Sequence, residues 1–131
     1  MKEKNLFNLI LLTSIIAIST SLFGSDIESS INKHKNKFEN IALSIWDYAE
    51  LGYQEIKSST SLAESLKQEG FKITYKVANI PTAFIAEYGN NGPVIGILGE
   101  FDALPGLAQT NAPFKEVISN ETGGGHACGH H

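Results

Sequence analysis

The 131-residue chain contains no arginine, a single cysteine and a single tryptophan, and only four prolines. The lack of arginine, with 14 acidic against 10 basic residues, argues against a nucleic-acid partner, because phosphate-tracking proteins carry a basic, arginine-bearing surface. A single cysteine excludes an internal disulfide, and the length allows one domain at most. The sequence therefore describes a small acidic chain with a net charge of -4.

Residues 1–24 have the composition of a signal peptide. A positively charged start is followed by the nearly apolar run 9–18, and small residues then lead to Gly24, near which we expect cleavage. The expected location is therefore outside the cytoplasm, either periplasmic or secreted, with no stable membrane insertion after cleavage. The alternative is an uncleaved membrane anchor, since residues 6–23 barely reach the length that spans a bilayer.

Two amphipathic helices are predicted after this signal. The first has Ser25 as its N-cap, carries apolar residues at three- and four-residue steps, and ends near Gly52. The second begins around Ser58 or Ser59 and ends at Gly70, since glycine is the usual residue just past a helix C-terminus.

Three strands are predicted next. Residues 71–77 alternate between apolar and polar, which indicates a half-buried strand. Residues 82–88 and 93–98 are apolar runs separated by the turn sequence GNNG, which predicts a hairpin. The run 93–98 is apolar on both faces and is therefore expected to be a central strand covered on each side. This order of elements predicts a layered α/β domain.

Two acidic residues follow the predicted central strand. Glu100 and Asp102 alternate along the chain, so both side chains can face one crevice. Open α/β sheets place ligands at the carboxyl ends of their strands, which makes these carboxylates candidates for a binding site. The alternative is an ordinary strand-end turn, in which Asp102 accepts hydrogen bonds from nearby backbone N–H groups.

The run 123–131, GGGHACGHH, holds three histidines and the only cysteine. Cys128 and His130 are two residues apart, so an extended backbone would direct both side chains to one face, and Gly129 would let the backbone bend around a small ion. A thiolate beside an imidazole suits zinc and similar divalent metals. A bound metal would also protect an unpaired thiol in an oxidising compartment. The alternatives are a flexible glycine-rich tail or a histidine tag.

Two motifs in this order resemble a known family. The run 99–109, GEFDALPGLAQ, followed by 125–130, GHACGH, is similar to the zinc-peptidase-like amidohydrolases. That group includes aminoacylases, auxin-conjugate hydrolases and aminobenzoyl-glutamate hydrolases, and the first motif is most similar to the last of these. Residues 45–58 and 80–89 also resemble the family, so that the similarity covers about 31–130.

The resemblance implies a fold and a reaction. The fold is α/β, with residues 25–131 as the N-terminal part of a layered catalytic domain that has a central mixed sheet flanked by helices, truncated before the dimerisation domain. The reaction is metal-dependent hydrolysis of the amide bond of a small N-acyl or N-aroyl amino acid or a dipeptide-like molecule. The implied cofactor is one or two divalent ions, zinc or manganese, and full-length relatives are implied to be homo-oligomers.

The resemblance also implies residue roles. Cys128 and His130 match the family's first metal ligands, and Asp102 matches the catalytic acidic residue that orients a ligand or tunes its charge. Glu100 falls where related peptidases have a metal-binding histidine, and it receives no role. His126 either holds a ligand or solvent by a hydrogen bond or is a solvated loop histidine.

One departure from the family limits the expected activity. Relatives continue after Cys-Gly-His with Asp or Asn and later supply a paired-Glu motif with the general base and further ligands, whereas this chain has His131. Catalytic zinc typically needs three protein ligands and an open position. We therefore expect a truncated product or fragment with weak or no hydrolysis of its own. The alternatives are a catalytically inactive metal-binding module and a decayed remnant that neither folds nor binds.

Overall fold

The computed structural model describes the backbone of residues 2–118 and 123–131, and the side chains of the same residues from 24 onward except Ser25. The predicted signal peptide thus lies, but for Gly24, outside the residues whose side chains are described. The chain divides into two compact units, Met1–Phe38 and Glu39–His131. In the described part of the chain, no helix combines the length and apolar character needed to cross a bilayer.

The first helix, α1, spans Lys2–Tyr48, and both predicted ends are wrong. Ser25 lies inside the helix and not at its N-cap, because serine is only modestly unfavourable within a helix and its neighbours on both sides also adopt the helical conformation. The helix ends before Gly52 because Ala49 adopts a left-handed conformation with a φ of 43°. The N–H of Ala49 still donates to the Ile45 carbonyl at 3.1 Å, which completes the last turn.

The second helix and the first strand are confirmed with shifted ends. Helix α2 spans Ile56–Gln68, and strand β1 spans Lys72–Tyr75. The inward face of α2 is anchored by Ala63, which is fully buried. Helix α2 begins before the predicted start at Ser58 or Ser59. The reason is that the Glu50 carboxylate accepts hydrogen bonds from two backbone N–H groups in the first turn of α2.

The predicted hairpin between residues 82–88 and 93–98 is wrong. The second strand, β2, spans Phe84–Glu87 and pairs antiparallel with β1 instead, with Lys72 opposite Glu87. A short 3₁₀ turn at Val77–Asn79 joins the two strands. β1 and β2 are neighbours in sequence and are joined by one short turn. Their facing backbone N–H and C=O groups hydrogen-bond to each other without a third strand.

Residues 93–98 do not form the predicted central strand in the described chain. In the ranges that the structure describes, residues 93–100 adopt neither helix nor strand. Four apolar side chains in this run are between 85% and 97% exposed: Val94, Ile95, Ile97 and Leu98. A strand that is apolar on both faces requires paired neighbours and a covering layer on each face. Among the described residues, β1 and β2 pair only with each other.

We expect the run 93–98 to drive self-association, because an exposed, uncharged apolar segment can pair with another chain. Ile97→Lys should shift the chain from oligomers toward monomer in sedimentation velocity at micromolar concentration. Ile31→Lys, at a residue that is 62% exposed in α1, is the matched control. Each lysine brings the net charge of -4 closer to zero, so general repulsion would not explain a loss of association. Equal oligomer content in both variants would contradict this role.

Two short strands complete the second unit. Strand β3, Leu104–Pro105, pairs antiparallel with β4, Gly124–Gly125. The buried apolar residues of the described chain are few: Ile45, Ala63 and Ala103. The described residues therefore have a mixed α/β architecture, with two α-helices and two small two-stranded antiparallel sheets.

Candidate functional site

Asp102 is positioned by its neighbour, Ala103, which is 2% exposed. The N–H of Ala103 donates to the Glu50 carbonyl at 2.8 Å, and Ala103 forms a parallel bridge with Leu51. These contacts fix the backbone beside Asp102 against the segment that follows α1. The carboxylate of Asp102 therefore lies at the start of β3 on a backbone that is hydrogen-bonded and buried.

Pairing of β3 with β4 brings the Cys/His run to Asp102. Leu104 lies opposite Gly125, and the N–H of Gly106 donates to the Gly123 carbonyl at 2.9 Å. In an antiparallel pair the residues before one strand meet the residues after the other. Asp102, just before β3, therefore meets residues 126–131, just after β4, and we call residues 126–131 the histidine loop.

Glycines are required in β4 because the chain packs tightly there. A Cβ on Gly124 would collide with the carbonyl oxygen of Ala49, and a Cβ on Gly125 would collide with that of Leu107. Both obstacles are backbone atoms, which are less able to move aside than flexible side-chain ends. The sequence GGG thus allows β4 to lie between the end of α1 and the segment after β3.

His130 joins the histidine loop to both acidic residues. Its Nδ1 lies 3.0 Å from Asp102 Oδ1, and its Nε2 lies 3.0 Å from Glu100 Oε2. The side chain of His130 is 25% exposed, that of Asp102 is 35% exposed and that of Glu100 is 65% exposed. Glu100 and Asp102 thus both contact His130, one at each ring nitrogen.

The two carboxylate contacts of His130 need more than a neutral imidazole supplies. Carboxylates only accept hydrogen bonds, whereas a neutral imidazole donates from one ring nitrogen only. One of the two contacts must therefore be completed by a second proton or by a cation. If Nδ1–H donates to Asp102, the nitrogen that faces Glu100 is the one that needs the proton or cation, and a carboxylate behind Nδ1 is also how metal-ligating histidines are oriented.

Cys128 is in a different position from the one the sequence predicted. The N–H of Gly129 donates to the His126 carbonyl at 3.0 Å, so these residues form a turn and not an extended segment. Gly129 has a φ of 76°, the bend that its lack of a Cβ allows. The Cys128 thiol is exposed. Within the ranges described, no three or more His, Cys, Asp or Glu side chains converge into a metal-holding group.

His126 is 3% exposed, so the interpretation of it as a solvated loop histidine is wrong. Its Nε2 lies 3.1 Å from the Ile45 carbonyl at the end of α1, and its ring packs 6.2 Å from that of Trp46. Burial lowers the pKa of His126, nearby His131 and His130 lower it further, and the Ile45 hydrogen bond opposes the shift. Sequence reasoning missed this burial because the partner lies 81 residues earlier.

Glu50 is a second residue that sequence reasoning did not single out. Its carboxylate accepts hydrogen bonds from the backbone N–H groups of Lys57 and Ser58 at 3.0 and 2.9 Å, and from the Ser58 hydroxyl at 2.9 Å. It therefore caps α2 from outside the helix. The only sequence signal was an acidic residue a few positions before a helix that begins without a side-chain cap of its own.

Comparison with known proteins identifies several relatives. The chain is 40% identical over 104 residues to a p-aminobenzoyl-glutamate hydrolase subunit of Escherichia coli. The aligned region covers 79% of this chain and 22% of that protein. It is 36% identical over 93 residues to N-acetylcysteine deacetylase of Bacillus subtilis, covering 70% of this chain and 23% of the relative. Hippurate hydrolase of Campylobacter jejuni is 31% identical to the chain over 96 residues, which cover 73% of this chain and 24% of the relative.

The names of these relatives describe two hydrolases and a deacetylase, for p-aminobenzoyl-glutamate, hippurate and N-acetylcysteine. A search of family models gave no match. The chain belongs to the amidohydrolase family that its two motifs resemble. It spans about a quarter or less of the length of the three relatives.

Proposed function

We propose that this chain carries part of the metal site of an amidohydrolase that cleaves N-acyl or N-aroyl amino acids, with aminobenzoyl-glutamate as the model substrate. The observation that supports this most is the placement of His130 between Asp102 and Glu100, 3.0 Å from each. The 40% identity to a hydrolase of aminobenzoyl-glutamate supports the substrate class.

In this proposal Cys128 and His130 are metal ligands, and Asp102 orients His130 through its Nδ1–H. Glu100 becomes a candidate ligand or cation partner, because its carboxylate faces the other ring nitrogen. A bound zinc or manganese ion supplies polarisation of the amide carbonyl and activation of water at neutral pH. The protein's share is to hold the imidazole in one tautomer and to present carboxylates that balance the cation's charge.

The exposed thiol of Cys128 supports this assignment in one respect. The turn at His126–Gly129 carries Cys128 two residues from His130, and rotation about its side-chain bonds is not restricted by burial. Cys128 would therefore join His130 in holding a cation through a side-chain movement, without displacement of the loop backbone. No general base is assigned among the described residues, because the two carboxylates that contact His130 are given to the orientation of the ring and to the cation.

Two further parts of the proposal concern the whole protein. We infer that the run 93–98 is the central strand of a larger layered sheet, since its two apolar faces suit burial and not solvent. We also infer that residues 1–24 direct export, based on their positive start and apolar run. Homo-oligomerisation of the full-length protein remains part of the same proposal.

Zinc uptake by the full chain tests the site. Equilibrium dialysis at neutral pH should show stoichiometric zinc in the native sequence, and Cys128→Ser and His130→Ala should each lose it. Asp102→Asn should weaken zinc affinity about 10- to 100-fold, since it removes the carboxylate that orients a ligand histidine. His34→Ala is the control, because it removes an α1 histidine whose Nδ1–H donates to the Ser30 carbonyl in the same helix.

Hydrolysis of aminobenzoyl-glutamate by the same preparations separates metal binding from turnover. We expect little or no product from the chain alone, because two assigned ligands are fewer than the three that catalytic zinc typically needs. Zinc uptake that survives both Cys128→Ser and His130→Ala would contradict the ligand assignment. Absence of uptake by the native sequence would contradict the metal site altogether.

A further inference from the structure

We propose that His126 is a positioning residue: its Nε2–H ties the histidine loop to the Ile45 carbonyl and so places His130 against Asp102. The inference deepens the proposed function, and its consequence for metal affinity rests on that function. The structural part, the placement of His130, stands on contacts of the chain itself.

The anchor point is rigid. Ile45 is 2% exposed and belongs to the last turn of α1, where its carbonyl already accepts the N–H of Ala49 at 3.1 Å. The second lone pair of this carbonyl is available to His126 Nε2 at 3.1 Å. The loop is therefore fastened to a backbone atom that the core holds in place.

The loop is fastened on both sides of the proposed ligands. The ring of His126 lies 6.2 Å from that of Trp46, and the ring of His131 meets Trp46 edge-on at 4.8 Å. The two histidine rings are themselves 5.4 Å apart. Cys128 and His130 lie between these two contacts in sequence, so both ends of the segment that carries them pack on one tryptophan.

Stability alone does not explain a histidine at this position. A carbonyl can only accept, so Nε2 carries the proton and Nδ1 is an unprotonated acceptor. This Nδ1 is buried without a hydrogen-bond partner among the described residues, which is unfavourable. A phenylalanine would fill the same space without a buried acceptor. The imidazole therefore serves the directional bond to Ile45, which fixes where the loop goes.

Two substitutions separate the donor from the ring. His126→Gln keeps an N–H donor at nearly the reach of Nε2, whereas His126→Phe keeps the ring and loses the donor. The first readout needs no metal: nitrogen-detected NMR of the His130 ring in the full chain reports its tautomer and its hydrogen bond to Asp102. The second is zinc affinity by competition with a chelator, and a cooperative thermal transition confirms that each variant is folded.

We expect His126→Phe to lose the hydrogen-bonded His130 Nδ1–H signal and about 10- to 100-fold in zinc affinity, the range typical of supporting residues at metal sites. His126→Gln should keep the signal and most of the affinity. If His126→Phe does not fold, His126→Asn replaces it, because its amide is one carbon too short to reach Ile45 as Gln does. The inference would be overturned if the His130 signal is retained in His126→Phe or His126→Asn, which have no donor that reaches Ile45. Loss of that signal in His126→Gln would also overturn it. If the native chain takes up no zinc, the proposed function fails, and the His130 signal alone decides the role of His126.

Discussion

Gly125→Ala is expected to displace the histidine loop and to lower the free energy of unfolding by about 1–3 kcal/mol or more. The added methyl group would collide with the carbonyl of Leu107 and lie 3.0 Å from the backbone nitrogen of Ala108. Both are backbone atoms, so relief requires that β4 separate from the segment after β3. Because Leu104 pairs with Gly125, that separation moves residues 126–131 away from Asp102.

Chemical denaturation followed by tryptophan fluorescence measures this effect, since Trp46 packs against both His126 and His131. Gly99→Ala is the matched control, because a methyl group there meets no described atom within 4 Å although Gly99 precedes Glu100 directly. The control should change stability by less than about 0.5 kcal/mol. If Gly125→Ala were as stable as Gly99→Ala, β4 would not pack as described.

Glu50→Ala is expected to destabilise the second unit by about 1–2 kcal/mol, the range for loss of a helix cap with charged hydrogen bonds. The substitution leaves the backbone N–H groups of Lys57 and Ser58 without their acceptor at the start of α2. For a unit of this size, the midpoint of thermal unfolding, Tm, should fall by about 4–8 °C for each kcal/mol of unfolding free energy that is lost. Glu64→Gln is the control, because its pair with Lys67 is exposed and contributes little.

The same residue gives stability a defined pH dependence. Burial raises the pKa of Glu50, but the hydrogen bonds from Ser58 and Lys57 and the charge of Lys57 outweigh it, and the net pKa lies below the ordinary 4.5. A carboxyl with a lower pKa in the folded state stabilises fully above its unfolded pKa and loses that contribution as the pH falls through the folded value. The native chain should therefore lose stability below about pH 4.5, the unfolded value.

Glu50→Gln isolates this contribution, because glutamine cannot ionise. We expect the difference in unfolding free energy between the native chain and Glu50→Gln to be constant near neutral pH and to shrink below about pH 4.5. A difference that stays constant down to about pH 3 would show that the capping carboxylate does not titrate with folding.

The acidic residues and the histidine of the candidate site could be predicted from sequence, because the two motifs that carry them flank the short strand pair β3–β4. Alternation placed Glu100 and Asp102 on one face, and the resemblance placed Asp102 beside the metal site of His130. In the structure both carboxylates lie 3.0 Å from the His130 ring. The turn at Cys128 could not be predicted in the same way. Its geometry depends on the His126–Gly129 hydrogen bond, which a period-two pattern does not report.

The strand predictions failed for a different physical reason. Periodicity reports which faces of a segment are apolar, and it does not report whether a partner is present to cover them. The run 93–98 has the composition of a buried strand, yet four of its side chains are at least 85% exposed. The strand β1, by contrast, needs only β2 as its partner, and both were predicted near their observed positions. The positions of β1 and β2 were therefore predictable, whereas the partner of each strand was not, because a pattern does not report which strand lies beside it.

The long helix shows the same dependence on context. A serine followed by acidic residues is typical of a helix start, which is why Ser25 was predicted as the N-cap. In the structure, helical residues precede Ser25, so its backbone does not lie at a helix start.

The metal environment of the zinc-loaded chain tests the central claim most directly. Zinc X-ray absorption spectroscopy should show one sulfur neighbour at about 2.3 Å and at least one imidazole nitrogen at about 2.0 Å. The sulfur contribution should vanish in Cys128→Ser, and the imidazole contribution should fall in His130→Ala. A shell of oxygen atoms alone, or an unchanged shell in both variants, would contradict a site built from Cys128 and His130 beside Asp102.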